Sequence, residues 1–370
     1  MVLPATSERL RPRGGGLLKN LAATCLVALG QGRLASARHR KLADRRVPPS
    51  PPFDENYNDS FVFQGSGGDG TMFMSRVGLR GDGSRAEVWV FLDIDGRKLV
   101  NGDTLVPARA RQQHISAGGL SYRYLPERGG WRVSFSGALQ GAGDCRLELD
   151  FTPTARLFLS SRHMDARSTG RAMAEMPWSR QYFARLRSER QVRIEQGGLL
   201  EGRLWLDGRE RELRLRAFRD HSWGRRDWSF INRYLWNIIS LERPLDLGGV
   251  RCRYLCLTAV DYGDSFHHLV SGWVAGSRRL LPVVACSDMH RLAGDGVIPR
   301  DYDIVFRARG RRPLRCRVTR SGREHSWLLQ DGDFEVSEAW CRAEIEGVAG
   351  QGMAEFGFSR GCGIPRPVFS

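Results

Sequence analysis

Between positions 219 and 228 the chain reads Arg219-Asp220-His221-Ser222-Trp223-Gly224-Arg225-Arg226-Asp227-Trp228, with three arginines, two aspartates and one histidine in ten residues. The run directly follows Glu212-Leu-Arg-Leu-Arg-Ala217, which alternates polar and apolar as a strand does. Successive side chains on a strand point to opposite faces. Continued as a strand, the motif therefore puts His221 and Trp223 on one face and Asp220 and Ser222 on the other. In a barrel one of those faces is the interior. With His221 and Trp223 inside, the histidine can exchange a proton near neutral pH, and Asp220 joins it as a candidate catalytic residue. Trp223 can flank an apolar or conjugated ligand and stabilise a developing cation through its π face. A neighbouring charge from Asp227 or Glu355 would set the His221 tautomer. The same residues also suit a structural corner. Asp220 would then cap backbone N–H groups and pair with Arg219 or Arg225, Trp223 would fill the core, and Gly224 would permit the turn. Both readings stay open at this level.

Around this motif, Trp228, Tyr234, Trp236 and Tyr254 are candidates for a ligand wall. Tyr234 and Trp236 share a face if extended, an arrangement that suits a core equally well. The stretch Asp220-His-Ser222-Trp-Gly224 also resembles a hydrolase nucleophile elbow, but its first glycine is missing and its flanks are strand-like, where the elbow needs a strand-to-helix turn. No phosphate-binding loop, dinucleotide fingerprint or H-E-x-x-H is present. Gly65-Ser-Gly-Gly-Asp-Gly70 lies between two strand-like stretches and reads as a hairpin turn, since a phosphate loop needs a helix N-terminus. The eight cysteines include no C-x-x-C pair, so they read as buried thiols. His267 and His268 are adjacent and face opposite sides of a strand. The expectation is no metal and no cofactor.

The elements that must position these residues are strands. From Phe53 onward the pattern has period two and is broken by turn residues every ten or so positions. Asp95-Gly96 and Asp207-Gly208 are hairpin signals. Helical periodicity is weak and confined to the neighbourhood of 161–187. Many short strands with glycine-rich turns imply sandwiches or barrels. One barrel is too small for 370 residues, and two of about 150 residues each fit better. The expected fold is all-β, with two antiparallel barrels in tandem over 53–228 and 229–370.

Composition agrees with a globular body, at 41% hydrophobic and 26% charged residues, and excludes collagen-like, wholly disordered and polytopic membrane proteins. The net charge of +16 is uneven, because residues 1–52 hold ten basic and two acidic residues and so carry half of it. The body has no basic stripe interleaved with stacking aromatics, so no specific nucleic-acid partner is expected. Residues 1–52 read as a basic leader closed by a Pro-rich linker, Pro48 to Pro52. Its apolar stretch, Leu21 to Leu29, is too short to span a bilayer as a helix. Arg-rich and nearly acid-free, it suits an organellar, mitochondrial-like transit peptide of an intracellular protein. Alternatively, Ala35-Ser-Ala37 makes it a secretory signal, which Arg33 opposes, or it is a disordered basic tail that contacts a membrane surface.

The run Arg219-Asp-His-Ser-Trp-Gly-x-Arg-x-Trp228 resembles the signature of the tandem-lipocalin family that includes carotenoid 1,2-hydratase (hydroxyneurosporene synthase) and AttH-like proteins. Glu195-Gln196 before Gly197-Gly198, and Gly350-x-Gly352-x-x-Glu355-Phe356-Gly357, are similar to other landmarks of that family. The body also resembles the N-terminal segment of animal phosphoenolpyruvate synthase-like proteins. The first resemblance implies two lipocalin-like (calycin) barrels and a cavity for a hydrophobic isoprenoid or lipid-like ligand. It implies that His221 and Trp223 line the site, and that an acid from a Tyr-x-Asp on a following strand protonates a carbon–carbon double bond, giving a carbocation that water captures. The matching stretch here is Tyr254-Leu255-Cys256, with cysteine in the acid's place and Asp261 five positions on. A thiol of pKa about 8.5 is a poor donor to an alkene. The expected function is therefore binding of such a ligand, with hydration, isomerisation or cyclisation as the enzymatic version. The alternative is a non-catalytic scaffold whose motif is structural.

Overall fold

The computed structural model describes residues 16–359, apart from 32, 50–53, 189–190, 227, 229–230, 264, 288–297 and 330–332. Two helices come first, α1 (Leu17–Gly30) and α2 (Arg33–Lys41). Eight strands follow: β1 (Tyr57–Ser66), β2 (Met72–Arg80), β3 (Arg85–Ile94), β4 (Arg97–Arg111), β5 (His114–Ala117), β6 (Leu120–Leu125), β7 (Gly130–Ala138) and β8 (Asp144–Pro153). A short β9 (Phe158–Leu159) leads into α3 (Ser160–His163), α4 (Ala166–Ala174) and α5 (Arg180–Ser188). Two long strands, β10 (Val192–Leu206) and β11 (Arg209–Arg225), complete the first sheet.

The second sheet comprises β12 (Arg233–Asp246), β13 (Arg251–Asp261), β14 (Leu269–Val270), β15 (Trp273–Ala275), β16 (Leu280–Cys286), β17 (Asp301–Ala308), β18 (Leu314–Leu329), β19 (Phe334–Ile345) and β20 (Val348–Ser359). Both sheets close. In the first, β1 to β8 pair in sequence, β8 pairs β10, and β10 pairs β11, which returns to β1. In the second, β12 pairs β20, the order then runs back from β19 to β15, and β13 closes onto β12. The fold is the expected tandem of lipocalin-like antiparallel barrels.

Local chemistry explains the hairpins. Asp95 and Gly96 have φ of 52° and 73°, and Asp207 and Gly208 have 52° and 74°. Positive φ at both central residues is the type I′ turn, whose twist matches that of the flanking strands. Ile94 consequently pairs Arg97, and Leu206 pairs Arg209. Each interior holds a core of buried side chains, the first around Phe61, Phe63, Tyr122, Trp131 and Phe151 and the second around Leu255, Ile304, Phe306, Val318 and Phe356.

A third apolar layer joins the barrels through their outer faces. Val62, Met72, Met74, Trp89, Phe91 and Phe218 of the first meet Trp236, Ile238, Tyr254, Trp327, Trp340 and Met353 of the second. Trp89 and Trp327 stack with centroids 4.7 Å apart. Strands at this junction, such as β1 and β2, are buried on nearly every residue, whereas β17 alternates buried and exposed. Burial on both faces removes the period-two signature.

The segment expected to be a leader is, from residue 17 on, packed against the body. Ala23 of α1 is buried with Met173 and Ala174 of α4. Lys19 Nζ donates to the Met176 carbonyl at 2.7 Å. Asp44 pairs with Arg219 at 2.6 Å, and the Val47 N–H donates to Asp59 at 2.8 Å. Of the segment's basic residues, Lys19 and Arg46 find acceptors far along the chain, Arg46 donating to the carbonyls of Ala110 and Asp82. Among the described residues, no helix is long and apolar enough to cross a membrane. The weak helical signal near 161–187 corresponds to α3, α4 and α5. The described cysteines are buried except Cys25.

Candidate functional site

A cavity of about 580 Å³ opens between the two barrels. Its first wall is the outer face of the first barrel, with Ser60 and Val62 on β1, Met74 and Arg76 on β2, and Asp220 on β11. Its second is the outer face of the other barrel, with Tyr234 and Trp236 on β12, Thr258 and Val260 on β13, Glu338 on β19 and Glu355 on β20. Helices cover it, through Leu26 and Val27 of α1, Met173 of α4, and Phe183 and Leu186 of α5. The α1–α4 contact is close because Gly170 has no side chain; a Cβ there would lie 2.7 Å from the Thr24 backbone.

Two carboxyl groups face the cavity side by side. The β19–β20 ladder sets Glu338 directly opposite Glu355, and their side chains are hydrogen-bonded to each other. Trp327 Nε1 donates to Glu338 Oε2 at 3.0 Å. The Tyr234 hydroxyl donates to Glu355 Oε1. Both carboxyls are almost wholly buried. Burial disfavours the charged form and pushes Glu355 up to about 7, against the opposing pull of the Tyr234 hydrogen bond. Glu338 is raised well above its ordinary range, first by burial and then by the Glu355 charge. The pair thus holds a proton at neutral pH, with Glu338 as the donor to Glu355. Burial and then Glu355 raise the Tyr234 phenol as well.

Arginines occupy another part of the wall. Arg193 Nε lies 3.2 Å from Asp220 Oδ2 and its guanidinium sits over the Trp236 ring at 5.1 Å. Arg226 sits over Trp228 at 5.3 Å and donates to Ser222 Oγ at 2.8 Å. Arg76 pairs with Glu87 at 2.8 Å and covers Trp89 at 4.3 Å. Beneath Trp236 lies a separate small void that Glu195, Cys256 and Trp273 help to line. Burial and then the neighbouring Arg193 charge act in opposite directions on Glu195, leaving it raised to about 7.

Four of the residues singled out from sequence, Asp220, Trp228, Tyr234 and Trp236, converge on the cavity. His221, Trp223 and Tyr254 do not. His221 and Trp223 do share a face and stand 4.7 Å apart, but that face is the inner side of the barrel wall, opposite Asp220. There the imidazole stacks on Phe61 at 3.9 Å. Its Nε2 is 2.8 Å from Asp59 Oδ1 and its Nδ1 is 3.1 Å from the Ala43 carbonyl. On that face the histidine lies among the packed side chains of the barrel interior. Tyr254 braces the junction, its hydroxyl donating to the Gly198 carbonyl at 2.9 Å and lying 2.8 Å from Thr154 Oγ1.

Neither candidate for the missing acid reaches the cavity. Cys256 is enclosed by Trp236, Thr258 and Glu195, and burial, then the Glu195 charge, raises its thiol well above the usual range. Asp261 accepts from the Gly263 N–H at 2.8 Å and braces a loop. Asp227 lies outside the described residues. Among the described residues, no cluster of His, Cys, Asp and Glu has the geometry of a metal site.

Sequence reasoning missed Glu338, Arg193 and Arg226 as cavity residues, and took Glu355 as a landmark and as a charge beside His221, a place that Asp59 holds. A signal for the acid pair was present. Glu346 and Gly347, with φ of 51° and 68°, form a two-residue turn, and a turn there registers Glu338 against Glu355.

Compared with known proteins, the sequence matches the family described as a domain of unknown function, DUF7064, over residues 43–359. No curated protein matches it. Among solved structures, a Nitrosomonas europaea protein designated AttH is similar at a TM-score of 0.52 and 11% identity, covering 84% of this chain and 98% of that one. Kievitone hydratase from Nectria haematococca aligns at a TM-score of 0.47 and 9% identity, covering 82% and 89%. The AttH likeness is one of fold.

Proposed function

The chain belongs to the DUF7064 family, and from the geometry of its inter-barrel cavity we propose that it binds a hydrophobic isoprenoid or lipid-like molecule there and converts it by acid catalysis. The observation that carries this reading is the proton-sharing Glu338–Glu355 pair on the wall of a 580 Å³ cavity. A carboxyl kept neutral by burial is a proton donor at neutral pH. The cavity size is that of small-molecule sites, which are mostly apolar with a few placed polar groups.

The chemistry balances with the residues present. Glu338 gives its carboxyl proton to one carbon of a double bond; the π electrons form the new C–H bond and the positive charge falls on the neighbouring carbon. Trp236 and Trp228 offer their ring faces to that cation. Water then adds, returning its proton to the carboxylate pair, and the product is an alcohol. Loss of an adjacent proton to the same carboxylates instead gives an isomer, and capture by a second double bond gives a ring. On this reading His221 and Trp223 are structural, and the acid comes from β19–β20 instead of the position of Cys256.

The test is native mass spectrometry of the full chain purified from a eukaryotic host, with organic extraction. A co-purifying hydrophobic molecule is expected. Incubated with the protein in deuterium oxide, that molecule should gain deuterium on carbon, and Glu338→Gln, which preserves the hydrogen bonds of the protonated acid, should stop this while still binding. An empty protein that takes up no fluorescent polyene would overturn the binding reading. Deuterium incorporation unchanged in Glu338→Gln would overturn the assignment of the acid.

A further inference from the structure

We propose that the ligand of this cavity is an amphiphile whose anionic oxygen headgroup, a carboxylate or a phosphate monoester, is held by Arg226 and Arg193, with its apolar tail along Trp228 and Trp236 toward the acid pair. The inference rests on the cavity reading above and adds the chemistry of the ligand's polar end.

One arginine of the cavity wall is left without a carboxylate partner. Arg76 pairs with Glu87, which also takes Arg80, and Arg193 pairs with Asp220 and, at 3.6 Å, with Glu195. Glu338 and Glu355 share a proton, which dilutes their charge. Arg226 remains. Its guanidinium donates to the neutral acceptors Ser222 Oγ at 2.8 Å and Gln191 Oε1 at 3.5 Å, and no carboxylate among the described residues forms an ion pair with it. Burial, and then the like charges of Arg193 and Arg76, lower it to about 10. A half-buried guanidinium beside two others gains when an anion joins it.

The donor geometry suits such an anion. Arginine presents five N–H groups in a fork that matches carboxylate and phosphate oxygens, and the acceptors just named use only part of the Arg226 set. Arg193 acts electrostatically on both Arg226 and Glu355, so a head held by the two arginines leaves the tail within the space the acid pair faces. Each guanidinium lies over a tryptophan of the same cavity, which sets the charged grip directly against the apolar wall. Asp220 would repel an anion alone, but Arg193 neutralises it.

The experiment compares one fluorophore with and without its charge: cis-parinaric acid and its methyl ester, titrated into the full chain. The acid is expected to bind at least roughly tenfold more tightly than the ester, the size of a charge-assisted hydrogen-bond preference. Arg226→Gln should remove most of that preference by weakening the acid alone, and Arg226→Lys should keep part of it. Displacement of the acid by dodecanoic acid or by dodecyl phosphate then tells which head is preferred. Equal binding of acid and ester to the unaltered protein overturns the headgroup inference and leaves the cavity reading standing. A preference that survives in Arg226→Gln overturns the assignment to Arg226. If neither fluorophore binds, the cavity reading fails and this inference fails with it.

Discussion

Glu355→Gln should change how the stability of the protein depends on pH, and the size of the change follows from the site. In the folded chain Glu355 titrates at about 7 instead of its ordinary 4.5, because it is buried. The sign is set by proton counting. Between these two values the folded state holds the proton and the unfolded chain has lost it, so stability falls as pH rises. The contribution is fully present below about pH 4.5 and lost as pH passes through about 7. A shift of that size corresponds to on the order of 3 kcal/mol at about 1.4 kcal/mol per pH unit. With an unfolding entropy of roughly 2 cal/mol/K per residue, a chain of this length should lose about 4–5 °C in melting temperature from this group alone. The amide of the variant stays neutral and can still accept from Tyr234 and Glu338. The assay is thermal melting of both proteins at half-unit intervals from pH 5 to 8. The unaltered protein should lose stability relative to Glu355→Gln across that range. Melting temperatures that run parallel would refute the buried, proton-sharing pair.

Three further outcomes are expected. His221→Ala should destabilise the fold by about 3 kcal/mol in chemical denaturation, since it leaves the buried Asp59 carboxylate without its imidazole, yet should move parinaric acid affinity by less than about twofold, a small change for a residue outside the binding surface; a large loss of affinity at unchanged stability would return His221 to the site. Gly197→Ala should cost about 1–3 kcal/mol by overpacking, because the new Cβ would stand 2.4 Å from Tyr254 Cγ; Tyr254→Phe, which loses only hydrogen bonds, should cost about 1 kcal/mol. Cys256→Asp restores an acid where the family resemblance places one, but buries it in the closed void beneath Trp236. It should destabilise by several kcal/mol and add no deuterium-incorporating activity, and a gain of activity would refute the assignment to Glu338.

The strands and their pairing were legible in the sequence because their causes are local. Alternation of polar and apolar residues sets which face is buried, and Asp-Gly turns set the register. The same rules correctly put His221 and Trp223 on one face and Asp220 on the other. They do not say which face borders open space. That depends on whether the barrel interior is packed, and aromatic residues such as Phe61, Phe63, Tyr122 and Trp131 fill it.

The inter-barrel layer left a trace that period-two reading does not use. Phe61-Val-Phe63, Met72-Phe-Met74 and Val88-Trp-Val-Phe-Leu92 are continuously apolar, as strands covered on both faces must be. A residue such as Trp89 or Phe218 looks in sequence like any core residue. Only the docking of a second barrel makes its outward side chain part of a wall.

The sequence by itself thus determined the all-β class, the tandem barrels, the hairpin registers and the motif's division between two faces, all of which arise from neighbouring residues and short turns. The tertiary structure decided the rest. It set the described residues of 17–49 against the body through partners such as Arg219 and Asp59, placed a cavity between the barrels, and buried Glu338 and Glu355 together. Proton affinity and charge balance depend on what surrounds a group in space, and for Glu355, Arg193 and Arg226 those surroundings come from strands far apart in the chain.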